Sequence, residues 1–213
     1  MNTIEKKYVY DTYQIIYKHF DTTRSYLWKG VKDFLDSIPR YSFIVEVGSG
    51  NGKNLLRRPD CINIGIDLCP HFSTITTQKG IESITANNLS LPIKSNTIDA
   101  VLSVAVIHHL STHERRLECI KELIRITKPN GQLFIQVWSM EQPENSRNIF
   151  NKKDNYVEFN SPDKSIKEWR FYHVFSSGEL EYLVKDIGNI DIVSSKWERG
   201  NWIMIIKKNS KIM

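Results

Sequence analysis

The chain has 213 residues, 40% of them hydrophobic and 25% charged, with a formal net charge of +5. That is enough for one domain with its own core, and the positive charge fits a nucleic-acid partner without requiring one. No apolar run is long enough to cross a bilayer, Met1–Lys7 lacks the apolar stretch of a leader, and three cysteines without C-x-x-C spacing (Cys61, Cys69, Cys119) exclude a disulfide framework and a zinc site, so the expectation is a cytoplasmic protein with no metal and no membrane partner, nuclear presence being left open.

Residues 4–20 and 25–38 read as helices, the second with Trp28, Val31, Phe34, Leu35 and Ile38 on one face. Phe43-Ile44-Val45-Glu46-Val47 is a nearly continuous apolar run of the kind buried in a parallel sheet. Residues 61–67, 81–86 and 98–104 give a second, a third and a fourth strand. Helix 112–127 follows, with Ser111 and Glu114 at capping-box spacing and Leu117, Ile120, Leu123 and Ile124 as its apolar stripe. A fifth strand, 133–138, comes after Pro129-Asn130-Gly131. Residues 141–168, rich in Asn, Lys, Ser and Pro, read as a long insertion loop. Ser176 and Glu179 cap a helix that turns Leu180, Leu183, Val184 and Ile187 inward, and strands at 190–193 and 202–206 close the sheet. Strands alternating with helices predict an α/β fold with a mostly parallel sheet and helices on both faces, as a single domain over 1–213 whose residues 1–40 form a helical cover.

Glu46-Val47-Gly48-Ser49-Gly50-Asn51-Gly52 stands just after the first core strand. The spacing is G-x-G-x-G, not the dinucleotide fingerprint G-x-G-x-x-G. The glycines permit a tight turn and close approach of a ligand to the backbone, and a helix following the turn would offer its free N–H groups to a carboxylate. Asp67 lies 21 residues beyond Glu46, at the end of the second strand, where it can accept hydrogen bonds from both hydroxyls of a ribose. Together these features predict a nucleoside-type cofactor.

The pattern resembles class I methyltransferases, whose cofactor is S-adenosyl-L-methionine and whose seven-stranded Rossmann-like sheet has its last strand antiparallel. The resemblance gives Glu46 the cofactor's amino group, Asp67 its ribose and Asn87 its adenine, with Tyr13, Gly48, Gly50, Asn51, Gly52, Leu68, Asn88, Leu89 and Val104 completing the site. Asn87 stands where an Asp is common, so its oxygen would accept the adenine amino group without a charge.

A closer resemblance runs through nearly the whole chain. It is carried by Tyr13, Phe20, Arg24 and Trp28, by Ala105-Val106-Ile107-His108-His109-Leu110-Ser111-Thr112, by Val137-Trp138-Ser139-Met140-Glu141-Gln142, by Tyr172-His173-Val174-Phe175, and by Gly200-Asn201-Trp202. In these the chain is similar to the eukaryotic tRNA wobble-uridine carboxymethyl methyltransferases. Ser49 replaces their usual Cys, and the Asn- and Lys-rich insertion has no counterpart in the pattern. The resemblance implies methyl transfer to a carboxylate of the tRNA anticodon loop, a reaction that needs no general base because the carboxylate is already ionised. It implies that Arg24, His108, His109, Tyr172, His173 and Asn201 surround that carboxylate, with the choice between the two histidines open. Arg115 and Arg116, in a helix first turn where cations are unfavourable, read as phosphate contacts. Tyr13, Tyr26, Trp28 and Tyr172 are candidates for stacking on bases.

The same resemblance implies a heterodimer with a small zinc-binding methyltransferase activator protein. It would dock by strand addition on the edge strand 81–86, with Ile64, Ile66, Phe72 and Ile75 beside it. Two rival readings stay open: a small-molecule O- or N-methyltransferase, and a catalytically silent scaffold that binds RNA or a partner.

Overall fold

The computed structural model describes residues 1–23 and 26–210. Its strands are β1 (Phe43–Val47), β2 (Ile62–Asp67), β3 (Glu82–Thr85), β4 (Ile98–Val104), β5 (Thr127–Trp138), β6 (Asp154–Asn160), β7 (Lys167–His173), β8 (Ile190–Glu198) and β9 (Asn201–Lys208). Seven of them form one sheet in the order β3-β2-β1-β4-β5-β9-β8. β9 runs antiparallel to both neighbours, and the other pairings are parallel, as expected. The strand order reverses between β1 and β4, so a crevice opens above their carboxyl ends, where such sheets bind ligands.

Helices cover both faces. One face packs α3 (Lys29–Ser37), whose Val31, Phe34 and Leu35 meet Ile44, Ala100, Leu102 and Phe134 of the sheet. The other packs α5 (His113–Ile126) through Cys119, Ile120, Leu123 and Ile124 against Val45, Val101, Leu133 and Ile135. Central strand residues point alternately to these two cores, which is why β1 is apolar on both sides.

Several elements differ from expectation. The N-cap of α5 is Thr112, whose side chain accepts the Arg115 N–H, while the Ser111 hydroxyl is engaged by Glu5. Pro129-Asn130-Gly131 lies within β5 as an irregularity opposite Ile98–Ala100, with Asn130 at φ 64°, and does not precede the strand. The presumed insertion loop contains β6 and pairs it with β7 as an antiparallel hairpin. Its Asn and Lys residues obscure the short alternation at Tyr156–Phe159, so only residues 141–153 and the hairpin tip are loop. After the glycine turn there is no α-helix: residues 55–57 form a single 3₁₀ turn before β2. The helix that packs behind the turn is α4 (Pro70–Gln78), a Thr-rich segment with little apolar periodicity.

The N-terminal cover is α1 (Thr3–Glu5), a π-helical stretch Lys6–Asp11, and α2 (Thr12–Thr23), running on without interruption. It is fixed at both ends. Glu5, only 4% exposed, receives two hydrogen bonds from the Arg115 guanidinium at 2.8 and 2.7 Å and one from the Ser111 N–H at 2.9 Å. Asp21 pairs with Lys79 at 2.8 Å, and Lys79 also donates to the Asn51 carbonyl of the glycine turn. Among the described residues no helix is long and apolar enough to cross a membrane.

Removing one member of a largely buried pair leaves the other charge without its partner. Glu5→Ala should therefore lower unfolding stability by roughly 1–3 kcal/mol, since the Arg115 side chain is left partly solvated. Urea titration measures that loss, and hydrogen exchange should show it concentrated in amides of residues 3–13. Unchanged protection there would mean that the clamp is not what holds the cover.

Candidate active site

A cavity of about 440 Å³ opens at the switch point and runs beneath the N-terminal cover to the β6–β7 hairpin. On the sheet side the glycine turn forms its floor. Gly48 sits at φ +77°, and a Cβ there would lie 2.2 Å from the Val106 side chain, so only glycine fits. A Cβ on Gly50, at φ +51°, would meet only the Phe20 ring, at 3.7 Å, so open space lies above the turn. Gly52 is not part of the wall. A Cβ on it would meet the Thr76 side chain at 2.9 Å, so its role is the turn and the packing on α4.

Two acids face this cradle. Asp67 accepts the Gly50 N–H and the Cys69 N–H, both at 2.9 Å, which fixes its carboxylate at the pocket wall between two loops. Glu46 is 1% exposed and receives the Asn54 side-chain N–H at 2.5 Å on one oxygen, while its other oxygen has no hydrogen-bond partner. Burial pushes the Glu46 carboxyl up to about 8 and that of Asp67 up to about 6. Asn54, which orients Glu46, carries no sequence signal of its own and was missed. An open glycine cradle, a buried acceptor with no partner and a carboxylate held at the wall fit a nucleoside that bears an amino-acid group.

Tyr13, Asn51, Leu68, Asn87, Asn88 and Val104 also line the cavity. The Asn87 oxygen accepts the Leu89 N–H at 3.0 Å, a local turn that aims residues 87 and 88 at the pocket. The Leu89 side chain itself packs against the main core, and Leu89 is not among the residues that line the cavity.

The far wall holds part of the expected substrate constellation. β4 ends in Ala105 at φ 60°, a left-handed conformation unusual for a residue with a Cβ, and enters the 3₁₀ turn Ile107–His109. That turn sends the two histidines in different directions. His109 lines the cavity, with Nδ1 2.7 Å from the Phe171 carbonyl and Nε2 3.0 Å from the Tyr13 hydroxyl. Because the carbonyl can only accept, Nδ1 carries the proton and Nε2 accepts from Tyr13. Burial lowers His109 to about 3, so the ring is neutral at physiological pH. His108 is fully buried behind it, outside the cavity wall, and takes the Trp138 N–H on Nδ1 at 3.1 Å. Tyr172 lines the pocket, stacked on Trp138 with ring centroids 4.3 Å apart.

Other expected members lie elsewhere. His173 is bracketed by Asp154 and Glu179, each at 2.7 Å, and joins the hairpin to α6 (Glu179–Val184), because alternation along β7 turns it away from the face that carries Tyr172. Asn201 donates to the Glu198 and Arg199 carbonyls and closes the β8–β9 turn. Arg116 is buried and donates to the Leu110 carbonyl, and Arg115 is committed to Glu5, so neither is offered to a phosphate. Arg24 lies outside the described residues. The residue that sequence reading missed on this wall is Arg170, on β7 and 4% exposed. Its only sequence signal is adjacency to the Tyr172-His173 run.

Residues 45–135 match the methyltransferase domain family. A methyltransferase from Clostridium acetobutylicum that depends on S-adenosylmethionine superposes with a TM-score of 0.70 at 13% identity, over 94% of this chain and 99% of its own. A chain from the complex between the Haloferax volcanii Trm112 methyltransferase activator and a methyltransferase does so with a TM-score of 0.66 at 16% identity, over 95% of this chain and 99% of its own. Sheet order and cradle thus define a class I methyltransferase that uses S-adenosylmethionine.

Sequence relatives narrow the class. The tRNA (carboxymethyluridine(34)-5-O)-methyltransferase of Schizosaccharomyces pombe is 34% identical over 226 aligned positions, covering 96% of this chain and 98% of its own. The alkbh8 enzyme of that name from Xenopus tropicalis is 30% identical, covering 97% of this chain, which spans 42% of the length of the frog protein. The chain belongs to the tRNA (carboxymethyluridine(34)-5-O)-methyltransferase family.

The raised acids give a pH signature. A carboxyl whose folded-state value lies above its ordinary one contributes its full stability at low pH and loses it as the pH rises through the folded value. Histidines held neutral act oppositely, but only below their ordinary value of about 6.5. Above that, Glu46 alone remains. The ligand-free protein should lose roughly 1–2 kcal/mol of stability between about pH 6.5 and 8, and Glu46→Gln should abolish that loss. Urea titrations at the two pH values decide; a wild-type stability that is flat or rising over this range would place the Glu46 titration elsewhere.

Proposed function

We propose that this chain methyl-esterifies the carboxymethyl group of 5-carboxymethyluridine at the anticodon wobble position, giving 5-methoxycarbonylmethyluridine. The carrying observation is the Ile107–His109 turn. The family-specific His-His-Leu-Ser-Thr run sets a neutral His109 beside Tyr13 and Tyr172, opposite the cofactor cradle and in one cavity with it. When bound, S-adenosylmethionine supplies an electrophilic methyl group: the carboxylate oxygen forms the new O–CH₃ bond as the S–CH₃ bond breaks, the electron pair passes to sulfur, and no proton is released. The residues here suit that chemistry. With Nδ1 tied to a carbonyl and Nε2 to Tyr13, His109 orients the phenol and takes no proton. The wall is rich in aromatics, Tyr13, Tyr26, Trp28 and Tyr172, suited to a base splayed from a single-stranded loop.

The reading includes a partner. β3 is an edge strand whose far side carries no neighbouring strand among the described residues, and one structural neighbour was solved with an activator protein. We place a small zinc-binding activator on this edge. The apolar flank differs from the one expected: Ile66 and Phe72 are core residues, 0% and 2% exposed, whereas Ile62 beside the edge is 49% exposed. The free thiols and the absence of a spanning helix among the described residues accord with work in the cytoplasm.

Mass spectrometry of nucleosides after incubating the protein, alone and with the activator, with S-adenosylmethionine and tRNA that carries 5-carboxymethyluridine should show the methyl ester, with the higher yield when both chains are present. Transfer to small carboxylic acids but not to tRNA would favour a small-molecule enzyme, and cofactor binding without any transfer would leave a scaffold.

A further inference from the structure

Arg170 is 4% exposed, and a charge removed from water needs a compensating partner. Of the other well-buried or clamped arginines, Arg58 pairs with Asp60 and Arg115 pairs with Glu5. Arg116 has no ion pair among the described residues either, but it donates to the Leu110 carbonyl and lies outside the cavity wall. Arg170 forms no ion pair among the described residues. One terminal nitrogen donates to the Tyr172 hydroxyl at 2.9 Å, the Tyr13 hydroxyl is a second hydrogen-bond partner of the group, and the guanidinium lies 5.5 and 5.3 Å from the ring centres of Phe159 and Tyr172. Its Nε is buried and has no hydrogen-bond partner. Phenols and aromatic faces soften the cost of a buried cation but do not neutralise it. The group lines the cavity that also holds Glu46, Asp67 and His109.

From this we infer that Arg170 binds the anionic group of the substrate, receiving the carboxylate that becomes methylated. The inference rests on the function proposed above and assigns the residue that reads the substrate's charge. The two neighbouring histidines are neutral, and the positive charge of Arg170 is one reason they remain so. A carboxylate entering this wall therefore meets a permanent cation among uncharged side chains.

The fork is partly occupied, and this matters for reactivity. A guanidinium gripping both oxygens would stabilise the nucleophile and slow its attack. With hydrogen bonds already committed to the Tyr172 and Tyr13 phenols, Arg170 holds one oxygen and leaves the other to form the O–CH₃ bond. The transfer consumes one negative charge on the carboxylate and one positive charge on sulfur. The ester that results is neutral and has no claim on the guanidinium. Arg170 thus favours the acid over both its amide analogue and the product.

The test uses two anticodon stem-loops that differ only in carrying 5-carboxymethyluridine or its neutral 5-carbamoylmethyl analogue. Binding is measured with S-adenosylhomocysteine present, using the full chain with any partner it is isolated with. Wild type should prefer the acid by about tenfold or more, Arg170→Gln should lose the preference, and Arg170→Lys should keep part of it. Affinity for S-adenosylhomocysteine should be unchanged in both variants. Retained preference in Arg170→Gln overturns the proposal, as does a wild type that methylates tRNA without preferring the acid. Loss of S-adenosylhomocysteine binding in both variants would make Arg170 structural and also end it. A wild type that neither discriminates nor methylates tRNA would instead overturn the functional reading beneath.

Discussion

Two carboxylates and one guanidinium are kept in a single pocket without ion-pair partners among the described residues, and much of the surrounding architecture serves to keep them there. Glu46 and Asp67 lie on the cradle side and Arg170 on the hairpin side. Each would be better solvated outside, so each must be held by bonds that do not cancel its charge. Asn54 performs that service for Glu46, backbone N–H groups of two loops for Asp67, and the Tyr172 hydroxyl for Arg170. All three supports are neutral. Arg170 and, as they ionise, the two acids therefore remain available to a ligand that carries an ammonium, a ribose or a carboxylate.

The N-terminal cover follows from the same constraint. A pocket of unpaired charge open to bulk water would lose most of its electrostatic strength to screening. The helix over residues 3–23 roofs the cavity and is fastened where the sheet is rigid, at Arg115 on α5 and at Lys79 beyond α4. Between those points the π-helical turn Lys6–Asp11 displaces the helical register, and Val9 and Tyr10 of that turn line the cavity. Such turns are frequent at functional sites because they re-aim side chains without ending the helix.

The sheet and its two helical cores were legible because their residues obey one rule each: continuous apolar runs for inner strands, and 3.6-residue stripes for α3 and α5. The acid–glycine–acid spacing was equally readable, since the turn demands glycine at Gly48 and a carboxylate after β2. What failed depended on contacts that no local pattern announces. His173 and Asn201 sit in family-like runs, yet alternation along β7 and the closure of the β8–β9 turn send them to structural bonds. Glu5 and Arg115 are 110 residues apart, and neither announces the other. The hairpin was hidden by composition: polar residues on its exposed side outweighed the few apolar ones that pack.

That hairpin has a consequence for how such an enzyme can change. The cofactor half of the cavity is made by strand ends of the central sheet, and altering those residues disturbs the core. The opposite half is made in part by β7, which among the described residues pairs only with β6 and lies outside the seven-stranded sheet. Its side chains can be exchanged, and its loop lengthened or shortened, without shifting the register of any strand that builds the cradle. The domain therefore contains a conservative half and a permissive half meeting at one reaction centre, and new nucleophiles can be recruited by remodelling the second while the methyl-donor machinery stays as it is.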